Sequence, residues 1–64
     1  MYTIETRDTR KLTGHLWLPL GAYPSRTDAL FWGKVLATEL AREVRVIRYR
    51  PEFEVVWNSE RKET

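Results

Sequence analysis

The chain is predicted to be an α+β domain of ββαββ order: one helix packed on a mainly antiparallel sheet of three to four strands. Three observations predict it. Residues 23–43 hold a Pro-Ser lead-in and then a stretch with helical apolar spacing. The segments on either side alternate with period two and are rich in β-formers. No linker, internal repeat or low-complexity run divides the 64 residues.

The first strand is Tyr2-Thr3-Ile4-Glu5-Thr6-Arg7, with Tyr2, Ile4 and Thr6 on one face and Thr3, Glu5 and Arg7 on the other. Asp8 to Gly14 is polar and ends in glycine, the composition of a hairpin connection. His15 to Leu20 is the second strand. Its alternation directs Leu16, Leu18 and Leu20 toward the core and His15, Trp17 and Pro19 away from it. Pro19 has no N–H to give to a ladder, which sets this strand at a sheet edge.

Ser25 is the predicted N-cap, with Asp28 favourably placed against the positive end of the helix dipole. The helix is expected from Arg26 to about Arg42. At about 100° per residue, Ala29, Leu30, Gly33, Leu36, Ala37, Leu40 and Ala41 form one broad stripe, with Trp32 on its margin. Gly33 costs about 1 kcal/mol of helix propensity relative to Ala, a cost that close approach of helix to sheet would offset. Phe31 and Val35 fall outside the stripe. They are four residues apart, so they touch, and they project from the far side with Thr27, Thr38 and Arg42.

Val44 to Arg50 is the third strand. Its alternation breaks at Val46-Ile47, which predicts either two apolar faces or a bulge. Pro51-Glu52 turns the chain into a fourth strand, Phe53 to Trp57, with Phe53, Val55 and Trp57 on one face. Residues 58–64 lack an apolar pattern, so the domain is placed at 1–57 with a flexible tail after it. A right-handed crossover gives the strand order 2-1-3-4 with antiparallel neighbours. One helix covers one face. The other face presents residues from the set Thr3, Glu5, Arg7, His15, Trp17, Arg45, Ile47 and Tyr49.

Composition narrows the function classes. The chain has no cysteine and one histidine, which removes disulfide frameworks and the common zinc patterns. A core this small supplies roughly 3–5 kcal/mol, and self-association is one way to add to it. No apolar run is long enough to cross a membrane, and Met1 leads into Tyr-Thr-Ile-Glu-Thr without a leader pattern, so a cytoplasmic protein is expected. The net charge of +2 is too small to imply nucleic acid by itself.

No catalytic, cofactor or metal constellation is visible. His15 has only Asp8 nearby in sequence, Ser25 is committed to a cap, and Glu39 and Glu43 are like charges four apart on the helix. The expectation is a non-enzymatic binding module. Its leading surface is the helix ridge Phe31, Trp32 and Val35, with Trp17 on the sheet, engaging a protein partner or a second copy. The alternative is a nucleic-acid binder using Arg7, Arg10, Lys11, Arg45, Arg48 and Arg50, with Tyr49 or Trp17 stacking on bases. Gly14 to Ala29, a quarter of the chain, resembles the strand-to-helix join of phage-integrase N-terminal and plant transcription-factor domains that read DNA with a sheet. Those domains place three strands before the helix and this chain two, so membership is not assigned.

Overall fold

A computed structural model describes residues 1–8 and 16–60. Within them the order is β1 (Tyr2–Arg7), β2 (Leu18–Tyr23), α1 (Arg26–Leu40), β3 (Glu43–Arg48) and β4 (Glu54–Asn58). The four strands form one antiparallel sheet in the order β2-β1-β3-β4. The ββαββ architecture and its strand order are those expected, with Pro19 on an edge strand.

The core forms where α1 meets the sheet. Ile4, Ala29, Val44 and Val46 are fully buried, bordered by Tyr2, Tyr23, Leu30, Leu36, Ala37, Val56 and Trp57. The helix packs chiefly on β3, with lesser contact to β1 and β2. It approaches β3 closely at Gly33, where an added Cβ would lie 2.8 Å from Val46 Cγ2 and 3.7 Å from the Trp57 ring. That gap is the return on placing glycine in mid-helix.

The helix begins as expected: Asp28 N–H donates to Ser25 Oγ at 3.4 Å, and Ala29 N–H donates to the Ser25 carbonyl at 3.0 Å. It ends at Leu40, two residues before the expected end, because Ala41 adopts a left-handed backbone with φ 53°. Glycine usually occupies such a position. The left-handed conformation costs an L-residue roughly 1–2 kcal/mol, and glycine's greater freedom in the unfolded chain takes back roughly 0.5–1. Ala41→Gly is therefore expected to add about 0.5–1 kcal/mol of stability, read as a rise of a few degrees in thermal midpoint. A lowered midpoint would contradict this cap.

Two face assignments are corrected by the register. β2 spans Leu18–Tyr23 rather than 15–20, so Leu16 and Trp17 precede it. Pro19 opposes Glu5 while Gly21 opposes Ile4, leaving Leu20 as the extra residue of a bulge. The leucines expected in the core are instead open to solvent: Leu16 is 51%, Leu18 59% and Leu20 43% exposed. The helix is centred on β3 and makes less contact with β2.

The second correction lies in β4. Val46 opposes Trp57 and Ile47 opposes Val55, so Val56 is the extra residue and β4, not β3, carries the bulge. Val55 and Trp57 consequently fall on opposite faces. Val46 and Ile47 are both fully buried, one under the helix and one on the other face, so β3 is apolar on both sides.

Trp32, expected on the margin of the stripe and in the outer ridge, is 44% exposed. Beyond Trp57, β4 continues through Asn58, and Ser59 adds a further pair. Ser59 N–H donates to the Val44 carbonyl at 2.8 Å, and Val44 N–H donates to Ser59 Oγ at 2.9 Å. Residues 61–64 lie outside the described part.

Candidate interaction surface

Two surfaces were expected to carry function: the outer side of α1 and the sheet face away from it. The antiparallel register builds that sheet face out of opposed ion pairs. Glu5 stands directly across from Arg45, and Arg7 directly across from Glu43. Arg45 Nε donates to Glu5 Oε1 at 2.8 Å and its Nη2 lies 2.7 Å from the same oxygen. Arg7 Nε donates to Glu43 Oε1 at 2.7 Å, while Asn58 Nδ2 donates to Glu43 Oε2 at 3.0 Å. Charge-assisted bonds of this kind are the strong class, and here they offset the burial of Glu5, which is only 6% exposed.

Aromatic rings close over these pairs. Trp17 lies with its ring centroid 4.1 Å from the Arg45 guanidinium carbon and 4.6 Å from that of Arg7. Phe53 approaches Arg45 from another direction at 5.5 Å and stacks in a tilted arrangement on Tyr49 at 5.8 Å. The Tyr49 hydroxyl reaches Glu5 Oε2 at 3.4 Å. Each guanidinium over a ring is worth about 0.5–2 kcal/mol, more as water is excluded. Trp17, expected as a contact for partners, is half-buried on these two arginines.

The residues expected to meet nucleic acid are thus distributed unevenly. Arg7 and Arg45 are engaged with Glu43 and Glu5, and Arg48 Nη2 lies 3.1 Å from Glu54 across β3 and β4. Arg42 lies 3.7 Å from Asp8. Tyr49 and Arg50 are exposed. Arg10, Lys11 and His15 lie outside the described residues. Glu5 and Glu43, which organise the face, were not picked out as site residues. The clue was present: Glu5-Thr6-Arg7 and Glu43-Val44-Arg45 share the pattern Glu-x-Arg, which is self-complementary when two strands run antiparallel.

The outer side of α1 is different in kind. Phe31 is 57% and Trp32 44% exposed, their rings edge-to-face at 5.1 Å. Val35 is half-buried beside them. Phe31, Lys34, Val35, Thr38 and Glu39 line an open groove of about 360 Å³ on this side. Lys34, Ala37 and Ala41 border another hollow beside Trp57, which fixes that flank of the helix toward β4. The helical spacing then turns Trp32 and Val35 to the opposite flank, toward β2 and its exposed leucines. The three expected ridge residues are brought together, and Trp17 is not among them.

Among the described residues no three His, Cys, Asp or Glu side chains cluster as a metal site requires. No helix there is long and apolar enough to cross a membrane. Compared with family models, curated proteins and solved structures, the chain matches none.

Proposed function

We propose that this protein is a small non-enzymatic binding module that engages a protein partner, or another copy of itself, through the ridge Phe31, Trp32 and Val35 on the outer side of α1. The observation that carries this reading is the exposed aromatic pair on a helix whose opposite side already supplies the core. The two rings show on the order of 200 Å² between them. Val35 lines the same groove as Phe31, so the apolar surface continues along this side of the helix, and exposed apolar patches are commonly functional. Rigid aromatics beside a groove are also the usual anchors of protein interfaces. A cytoplasmic location forms part of the proposal, supported by the lack of cysteine in a domain of this size.

The nucleic-acid alternative has less support. Arg7, Arg45 and Arg48 are matched by carboxylates within 3.1 Å, so a phosphate must compete with an existing partner for each of them.

The test is a photo-crosslinking residue introduced at Phe31 or Val35, with Glu52 as a control position, in cells expressing the protein. Adducts from the ridge positions and not from the control are expected. No adducts, or equal adducts from all three, would remove the basis for this surface. Phe31→Asp is expected to suppress association while leaving the thermal midpoint within a degree or two, as for other exposed sites. A large fall in midpoint would make Phe31 part of the core instead.

A further inference from the structure

We propose that the free edge of β4 docks a second copy of the chain. The two β4 strands pair antiparallel about a two-fold axis normal to the sheet, joining two four-stranded sheets into one. This surface is separate from the outer side of α1 and goes beyond the reading given for it. Two observations carry the proposal: the direction of the backbone groups along β4 and the charges at its end.

Val44 N–H donates to Ser59 Oγ and the Val44 carbonyl accepts from Ser59 N–H, so Val44 turns its backbone groups toward β4. In an antiparallel pair, alternate residues turn these groups to opposite sides. Val46 and Arg48 therefore face β4, whereas Arg45 and Ile47 face β1. The residues opposite Arg45 and Ile47 are Asn58 and Val55. Their N–H and carbonyl groups consequently point away from β3, into the open edge of the sheet. A two-fold axis level with the Val56–Trp57 peptide sets Val55 of each copy opposite Asn58 of the other, and each such pair exchanges both of its hydrogen bonds. Because the copy carries the same bulge, the spacing of the outward groups matches by symmetry. Glu60 N–H is already held by Asn58 Oδ1 at 2.8 Å, which ends the edge there.

The charges agree. An axis normal to the sheet keeps each face on its own side, so side chains on the α1 side meet others on the α1 side. The same register places Glu54 of the copy opposite Ser59. Ser59 lines the hollow of about 520 Å³ between α1 and β4, whose lining carries two cations, Lys34 and Arg42, against one anion, Glu60. Glu54 stands across from Arg48, on the α1 side by alternation from Val44 and Val46. Its Oε1 lies 3.1 Å from Arg48 Nη2 and its side chain is half exposed, which leaves Oε2 for the cations of the copy. Lys34 has no ion pair among the described residues. The contact is reciprocal, so both ends of the joined strands are satisfied at once. The opposite edge, β2, lacks the N–H of Pro19 and carries a bulge, so association ends at two chains.

Amide exchange followed by NMR on the full chain tests the inference directly. In a single copy the N–H groups of Val55 and Asn58 face water; in the dimer both are bonded. Their exchange is expected to slow several-fold between about 50 μM and about 1 mM protein, while the exposed Glu52 amide does not change. Light scattering over the same range is expected to show the mass rising from one chain toward two. Val55→Pro removes one of the outward donors without taking a bond from the β3–β4 ladder, and is expected to weaken dimerisation at least about tenfold. Glu54→Lys is expected to weaken it to a similar extent, by setting a cation against Lys34 and Arg42 of the copy. Phe31→Asp is expected to leave this dimer in place, since its effect is confined to partners of the ridge. Circular dichroism of each variant checks that the fold persists.

A wild type with the mass of one chain at the higher concentration overturns the inference. So does a dimer in which Val55 and Asn58 exchange as fast as in the single chain, or one that Phe31→Asp dissolves, because the contact then lies elsewhere. A dimer undiminished in both Val55→Pro and Glu54→Lys overturns it as well. Should Val55→Pro fail to fold, the exchange of the wild type and the mass of Glu54→Lys decide.

Discussion

Gly33→Val is expected to lose about 2–3 kcal/mol, most of the stability that a core of this size supplies. The added Cβ would lie 2.8 Å from Val46 Cγ2, closer than two carbons approach without displacement. Val46 cannot turn aside. It is fully buried on β3 and its branched side chain is stiff at χ1. The two further carbons of valine would press on β3 and on the Trp57 ring, 3.7 Å from the new Cβ. Valine regains only a few tenths of a kcal/mol of helix propensity over glycine, so overpacking wins. Gly33→Ala meets the same 2.8 Å contact and is expected to lose less than Gly33→Val, because alanine recovers about 1 kcal/mol of helix propensity. Gly21→Ala is the control, since its Cβ would meet only the Tyr23 ring at an ordinary 3.6 Å. Thermal melts of the three variants decide the matter; Gly33→Val melting with the wild type would mean that the helix stands farther from β3.

Glu5→Leu is expected to cost about 2–3 kcal/mol. It leaves the Arg45 guanidinium beneath Trp17 without its carboxylate, and Tyr49 loses an acceptor. Breaking a fully buried pair costs roughly 3–5 kcal/mol. The figure is reduced here because the Arg45 side chain retains 18% exposure. The penalty arises from the stranded charge rather than from the loss of a net attraction. Arg45→Met in the same chain is therefore expected to recover most of it, as hydrophobic replacement of buried pairs commonly does. Urea unfolding of both singles and the double completes a double-mutant cycle. Equal instability of Glu5→Leu and the double variant would show that Glu5 acts by packing alone.

These two positions also show what the sequence revealed. Gly33 was legible because a glycine centred in an apolar helical stripe runs against propensity and calls for a packing reason. The ridge was legible for a related reason: Phe31 and Val35 contradict the stripe on their own helix. Glu5 was legible only through the repeated Glu-x-Arg pattern, and not from its own strand. A single carboxylate in an alternating strand looks like any solvent-facing residue until Arg45 is known to stand across from it.

Local chemistry determined the element order, the Ser25 cap, the edge position of Pro19 and the side of α1 that turns outward, because each depends on residues a few positions apart. Tertiary structure decided everything that depends on a neighbour distant in sequence. The bulges at Leu20 and Val56 reassigned residues to faces. A helix about 10 Å wide cannot cover four strands set about 4.8 Å apart, and it settled on β3. The leucines of β2 alternated correctly for a core that the helix does not extend to them. Trp17, uncommitted by pattern, found its place on arginines brought together by strand pairing.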